Sequence, residues 1–186
     1  MRKKVFLTVL ICLIAALQTS AQESSFEQND NVLSLGIGFG GTLYSSRSYI
    51  LYAGYDRLPT ISFSYERCIV GELFNEQSAL GVGGIVGYNY ASYSTWTSTD
   101  ILVGVRGAFH YAFVDNLDTY VGVLTGYNVH SWKWKNSSTS TLISGSSGFT
   151  YGYFAGARYY FAGPLAAFAE LGYGYTFVNA GISLKF

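Results

Sequence analysis

The sequence predicts an all-β protein folded as an eight-stranded antiparallel transmembrane up-and-down β-barrel, and residues 101–113 give the first indication. Their odd positions hold mostly large apolar side chains, whereas the even positions are mostly glycine and alanine around Arg106 and His110. Side chains alternate between the two faces of a strand. The small face is too slight to fill the core of a soluble sandwich, so we expect it to line a narrow lumen while the apolar face meets lipid.

Two further observations favour the barrel. Beyond residue 21 no apolar run reaches the ~20 residues that a transmembrane helix needs, and in lipid the alternative that satisfies every backbone group is a closed barrel. Tyrosine and phenylalanine also gather at two levels of the apolar face. Tyr151 and Phe161 are ten residues apart, which at ~3.3 Å per residue and a tilt near ~40° spans about 25 Å, the height of a lipid-facing band.

The chain is expected to begin with a signal peptide over residues 1–21. A basic start, an apolar run over residues 5–17 and small residues before Gln22 have the composition of such a peptide. Residues 22–31 are expected to form a flexible periplasmic lead, and residues 32–186 the outer-membrane barrel domain.

Charge and cysteine content exclude several function classes. The 11 basic residues lose Arg2, Lys3 and Lys4 with the signal peptide, which leaves 8 against 11 acidic residues, a net charge of −3. No basic surface for nucleic acid is indicated. Cys68 is then the one remaining cysteine, so no intrachain disulfide can form. Two scattered histidines and one cysteine predict neither a metal site nor a cofactor.

Alternating segments predict the strands in chain order. They cover residues 32–42, 60–69, 79–90, 101–113, 119–129, 149–161 and 165–173, with a last strand ending at residues 180–186. Polar or serine-rich segments at residues 44–58, 91–99 and 130–148 predict long extracellular loops, and a fourth near residues 174–178 is very short. The connections at the other end are mostly brief, which places both chain termini in the periplasm.

Four ionisable residues are predicted to point into the lumen, namely Glu66, Arg106, Arg158 and Glu170. An unpaired buried charge costs several kcal/mol, so two acids and two bases are expected to pair. They would form a lumen ionic network that plugs the interior of the barrel. The turn at residues 163–164 predicts that Arg158 and Glu170 are neighbours across two strands. The alternative is a gate or a permeation site. His110 is expected to be a hydrogen-bonded lumen residue rather than a catalytic one.

The third loop carries the other candidate residues. Its aromatic and basic run is a possible contact surface for lipopolysaccharide phosphates or for an external partner, and consists of Trp132, Lys133, Trp134 and Lys135. The alternative is aromatic anchoring at the membrane interface with solvated lysines. The pair His130-Ser131 lies at the extracellular lip, but no acid stands nearby in the sequence to complete a catalytic set, so no enzyme activity is predicted.

The last strand carries the most specific family signal. Ala180, Ile182, Leu184 and Phe186 form an alternating apolar face that ends in a C-terminal aromatic residue. In this the chain resembles the small eight-stranded outer-membrane β-barrels of Gram-negative bacteria, the porin-like group that includes the OmpA-type membrane domain and the OmpX-type proteins. The resemblance implies that Phe186 belongs to the signal read by the barrel-assembly machinery. It also implies export to the outer membrane and contact with its lipid and lipopolysaccharide.

The family is functionally mixed, so the resemblance indicates location better than activity. A structural or surface-interaction role with extracellular loops as the contact surface is the leading hypothesis. A narrow conduit for small or hydrophobic solutes is the alternative, and a lipid-modifying barrel enzyme is a distant third.

Overall fold

The computed structural model describes residues 25–41, 56–92, 96–134, 143–144 and 147–186. The predicted signal peptide and most of the first loop lie outside these ranges. Within them, no helix is long and apolar enough to cross a membrane.

Eight long strands form a closed antiparallel sheet. They are β1 (Asn31–Phe39), β2 (Thr60–Gly71), β3 (Ser78–Ser92), β4 (Trp96–Val114), β5 (Leu117–Trp134), β6 (Gly148–Ala162), β7 (Leu165–Tyr173) and β8 (Val178–Lys185). Each strand pairs with the next along the chain, and β8 pairs with β1. Because the last strand meets the first, the sheet has no open edge through this part of the barrel. The predicted fold is therefore the observed one.

Two two-residue strands lie above the barrel. Asp56–Arg57 pairs with β3 at Ala91 and Ser92, and Ile143–Ser144 pairs with β5 at Ser131 and Trp132. We call this end of the barrel the loop end, and the opposite end, where β1 begins and β8 finishes, the terminal end.

The predicted lipid and lumen faces match the pattern of side-chain exposure. Large apolar side chains on the outside are exposed, as Val105, Val123 and Ile182 illustrate. Lumen-facing residues such as Leu102 and Tyr120 are buried. This is the inverse of a soluble protein and fits a barrel whose outer wall is solvated by lipid.

The strand lengths differ from the prediction at the loop end. β3 ends at Ser92, β4 begins at Trp96 and β5 ends at Trp134, so the prediction that residues 91–92, 96–99 and 130–134 are loop is wrong. The two strands remain hydrogen-bonded up to the pairing of Trp96 with Trp134. Polar composition indicated a loop, but a ladder that has left the membrane needs no apolar face.

β1, in contrast, is shorter than predicted at the loop end. The strand ends at Phe39 rather than residue 42 because Gly40 and Gly41 adopt positive φ values of 71° and 91°. Few residues other than glycine adopt this conformation readily, and it turns the chain out of the sheet.

The described part of the predicted lead, residues 25–30, contacts the terminal end of the barrel. Phe26 is buried and its ring lies 4.3 Å from the ring of His110 inside the barrel. Asn29 N–H donates to the Cys68 carbonyl oxygen at 3.1 Å, and Cys68 N–H donates to the Asp30 carbonyl oxygen at 2.9 Å. The segment therefore covers the terminal end of the lumen, where the Phe26 side chain is buried.

Candidate functional site

The centre of the lumen holds a closed ring of four ionisable side chains, which we call the ionic ring: Glu66, His110, Asp118 and Arg158. Arg158 donates from Nη1 to Asp118 Oδ2 at 2.9 Å and from Nη2 to Glu66 Oε2 at 3.1 Å. His110 completes the ring, with Nδ1 2.8 Å from Asp118 Oδ1 and Nε2 3.0 Å from Glu66 Oε1. Ionised carboxylates only accept hydrogen bonds, so both contacts are satisfied when His110 carries a proton on each nitrogen.

A second ion pair lies beside the ring, towards the loop end. Arg106 Nη2 donates to Glu170 Oε1 at 2.7 Å. Glu170 also accepts from the Tyr120 hydroxyl at 3.0 Å and from Asn179 Nδ2 at 3.2 Å. The Arg106 guanidinium carbon is 4.2 Å from the centroid of the Phe154 ring. The buried charges thus have charged, hydrogen-bonding and aromatic partners, which offset part of their desolvation cost.

The glycines of the lumen face make room for these long side chains. A Cβ at Gly81 would lie 2.8 Å from Glu66 Oε1, and a Cβ at Gly156 would lie 2.7 Å from the Tyr120 ring. The small residues that suggested a narrow lumen are therefore paired with large ones on neighbouring strands. Around these residues the described interior is packed with side chains, many of them polar.

The four predicted lumen charges are all buried inside the barrel and all take part in ion pairs. The predicted pairing of Arg158 with Glu170 is wrong. Arg158 lies opposite Phe168, and Glu170 opposite Gly156, because the β6–β7 ladder shifts its register between Tyr160 and Ala162. The two charges therefore lie on the same face but two residues out of register, and each forms its ion pair with a different partner.

Asp118 is the ring member that sequence reasoning missed. It was assigned to the turn before β5, but it pairs with Ala112 on β4 and directly with Arg158 on β6. A regular hairpin would place Asp118 opposite lipid-facing Phe113, and the register shift between Ala112 and Val114 is what places it opposite lumen-facing Ala112.

One small cavity lies among the described lumen residues. A cavity of about 10 Å³ lies near the loop end, with Leu124, Glu170 and Tyr175 among its lining residues. This volume is about the minimum for one water molecule. Tyr175, in the turn between β7 and β8, is buried over the cavity, and burial followed by the nearby Glu170 carboxylate raises the pKa of its phenol above the ordinary value.

A smaller polar cluster lies at the loop end. Asp100 is the direct ladder partner of His130, and its Oδ1 contacts His130 Nδ1. Sequence reasoning found no acid near His130 because this one is on the preceding strand. Ser98 Oγ donates to Asp100 Oδ2 at 3.3 Å, and Ser147 Oγ accepts from the His130 backbone N–H at 3.2 Å.

The predicted contact surface lies partly on a strand. Trp132, Lys133 and Trp134 belong to β5 and pair with residues 96–98 of β4, so their assignment to a loop is wrong. Lys133 is exposed. Lys135 and the side chains of both tryptophans lie outside the described residues.

Phe186 lies at the seam where the barrel closes. Its N–H donates to the Asn31 carbonyl oxygen at 2.9 Å, and its own carbonyl oxygen accepts from Asn31 N–H at 3.0 Å. Its ring is exposed on the lipid face. No group of three or more metal-ligating side chains in the described part of the chain is arranged to hold a metal ion.

Fold and lumen together define a small, closed transmembrane β-barrel. No protein-family model matches the sequence, and no curated protein is significantly similar to it. A de novo designed transmembrane β-barrel superimposes with a TM-score of 0.50 at 16% identity, over 86% of this chain and 98% of its own. It confirms the predicted fold class.

Two structures of the Yersinia pestis outer-membrane protein Ail are also similar. The crystal structure of this attachment invasion locus protein gives a TM-score of 0.48 at 13% identity, over 85% of this chain and 95% of its own. The backbone structure in a phospholipid nanodisc gives 0.47 at 15% identity, over 86% and 100%.

Proposed function

We propose that the protein is an exported outer-membrane barrel with a structural or surface-interaction role, without a conducting pore and without catalytic activity. One observation carries this proposal: the lumen is filled, while strands β3 to β5 extend well beyond the lipid-facing band at the loop end. A barrel with a filled interior has its outer wall and its projecting strands left for contact with other molecules.

The projecting part can be located by its change of chemistry. The outward row formed by Tyr88, Ile101 and Val129 is apolar, and the row two residues above it contains Thr99 and Ser131. The 19 residues of β4 span about 45–50 Å in height at ~3.3 Å per residue and a ~40° tilt, against about 23 Å for the 9 residues of β7. A lipid-facing band of about 25 Å therefore leaves the upper part of β4 in water.

The position of the projecting strands suggests which molecules they contact. Lys133 is exposed above the apolar rows, at a height where lipopolysaccharide phosphates lie if the loop end is extracellular. We propose these phosphates, or an external partner, as the ligand of the projecting sheet. We further propose that Phe186, which completes the closing seam, belongs to the segment recognised by the barrel-assembly machinery.

A narrow conduit is the competing function, and electrical recording separates the two. The unmodified protein in a planar bilayer is expected to show no steady conductance, because buried charged and aromatic side chains such as Arg106, Arg158 and Phe154 occupy its lumen. Replacing Arg106 and Glu170 together with serine removes both charges of one ion pair, takes away the acceptor of the Tyr120 hydroxyl and Asn179 Nδ2, and is expected to introduce a small leak. A stable channel in the unmodified protein would make the conduit the better hypothesis.

Orientation is tested by labelling a cysteine in intact cells. Lys133→Cys is expected to react with a membrane-impermeant maleimide, whereas Phe74→Cys, at an 82% exposed position of the terminal end, is expected to stay unlabelled until the cells are opened. The native Cys68 is buried and gives little background. Labelling of Phe74→Cys alone in intact cells would reverse the proposed topology.

A further inference from the structure

The outer wall carries a groove of about 500 Å³ near the terminal end. Its lining crosses three strands and consists mainly of outward-facing residues: Phe109, Tyr111 and Phe113 of β4, Thr119 and Val121 of β5, and Ala155 of β6. The lining is almost entirely apolar, so the groove is a feature of the lipid-facing surface and not a water-filled cleft.

The depth of the groove comes from a step in side-chain size. Along one ladder row Phe109 is paired with Val121, and Val121 with Ala155. Along the next row Tyr111 is paired with Thr119. The aromatic side chains of β4 therefore project further from the barrel wall than the smaller side chains of β5 and β6. Phe74 of the β2–β3 turn adds to the aromatic wall, with its ring centroid 6.1 Å from that of Phe109.

A lipid acyl chain fits this shape better than a second barrel does. Two barrel walls are convex and meet along their ridges, which here are the aromatic side chains, so a second copy would leave the concave part empty. An acyl chain is slender and flexible, and burying its methylene groups against protein replaces contacts with neighbouring lipid. Placement in the membrane rests on the proposed function.

The acidic residues near the terminal end of the groove favour one class of lipid headgroup over another. The two turns beside it carry the exposed acids Glu72, Glu76 and Asp115, and neither turn contains a lysine or an arginine. Tyr111, on the groove wall, donates from its hydroxyl to Gln77 Oε1 at 3.0 Å, which places polar groups at the same level. A headgroup with a terminal ammonium is attracted here, whereas an anionic glycerol headgroup lacks a cationic partner.

We propose that this groove is a binding site for one phospholipid that carries an amine headgroup, with an acyl chain along Val121 and Ala155 and the ammonium near Glu76 and Asp115. The lipid would belong to the leaflet at the terminal end. It would be retained more strongly than the lipids around the rest of the barrel.

Native mass spectrometry tests the proposal. The protein is inserted into nanodiscs of equimolar phosphatidylethanolamine and phosphatidylglycerol, then released and weighed with its retained lipid. We expect one retained phosphatidylethanolamine, at least fivefold over phosphatidylglycerol. Ala155→Phe and Val121→Phe fill the groove and are expected to reduce retention at least fivefold. The matched control is Val103→Phe, at a 57% exposed lipid-facing position outside the groove, which is expected to retain the lipid.

The headgroup is tested separately with the double variant Glu76→Gln and Asp115→Asn, which is expected to keep a lipid but lose the preference for phosphatidylethanolamine. Equal retention of both lipids by the unmodified protein, equal retention by the groove variants and Val103→Phe, or a dimer in place of a lipid adduct would each overturn the proposal. Insertion is scored independently by the folded fraction. Failure to insert at all would argue against the membrane function itself.

Discussion

Replacement of Gly181 with valine is expected to prevent the barrel from closing. Gly181 lies on β8 opposite Gly36 of β1, at the seam that joins the two ends of the sheet. A Cβ at Gly181 would lie 1.9 Å from the Leu35 carbonyl oxygen, a backbone atom that cannot move without breaking the ladder. Overpacking costs about 1–3 kcal/mol when side chains can adjust, so the loss here is expected to be at the upper end of that range or beyond.

The folded fraction in lipid vesicles measures this effect, scored by the different gel mobility of heated and unheated barrel. The matched control is Ala180→Val, the neighbouring position, whose side chain is exposed on the lipid face. It adds the same β-branched side chain to the same strand and is expected to fold as the unmodified protein does. Equal folding of the two variants would show that close backbone approach at the seam is not required.

The lipid and lumen faces could be predicted because the membrane imposes one simple rule on every strand. A residue such as Val105 must be apolar because it meets lipid, and its neighbour Arg106 must point away from lipid. The alternation holds along the whole strand, so an error of one or two residues in a strand end does not change the assignment of faces. This is why the eight strands and the lumen charges were found.

The pairing of those charges could not be predicted, because it depends on register. The ladders shift between Cys68 and Val70, between Ala112 and Val114, and between Tyr160 and Ala162. Each shift moves every residue beyond it relative to the neighbouring strand. None has a distinct sequence mark, so the ion-pair partners of Arg158 and Glu170 cannot be assigned from the sequence alone.

The polar residues near the strand ends were missed for a related reason. Asp100 and Asp118 lie in segments that composition assigned to connections, yet both continue the ladder and face the lumen. Asp118 is the second residue of β5, where the register shift decides which face it occupies. Asp100 lies above the lipid-facing band, where a strand has no lipid face to mark it. Only the pairing with a neighbour shows that it is still a strand, and that pairing is a property of the whole hairpin.

Replacement of Arg158 with leucine is expected to cause the largest loss of stability among the lumen variants. Arg158 donates to both Glu66 and Asp118 and, unlike His110, its side chain is always charged in proteins. Without it, two buried carboxylates share His110 alone. Breaking a buried ion pair by removing one partner costs about 3–5 kcal/mol, because the remaining charge stays buried without compensation.

Urea unfolding in vesicles measures this loss, with Arg67→Leu as the matched control. Arg67 follows Glu66 directly, but its side chain is exposed and makes one hydrogen bond, from Nη2 to Asn29 Oδ1 at 3.3 Å. An exposed position of this kind is expected to change stability by no more than about 0.5 kcal/mol. If Arg158→Leu were as stable as Arg67→Leu, the ionic ring would not hold the barrel together, and its charges would have to be explained by a function that uses them.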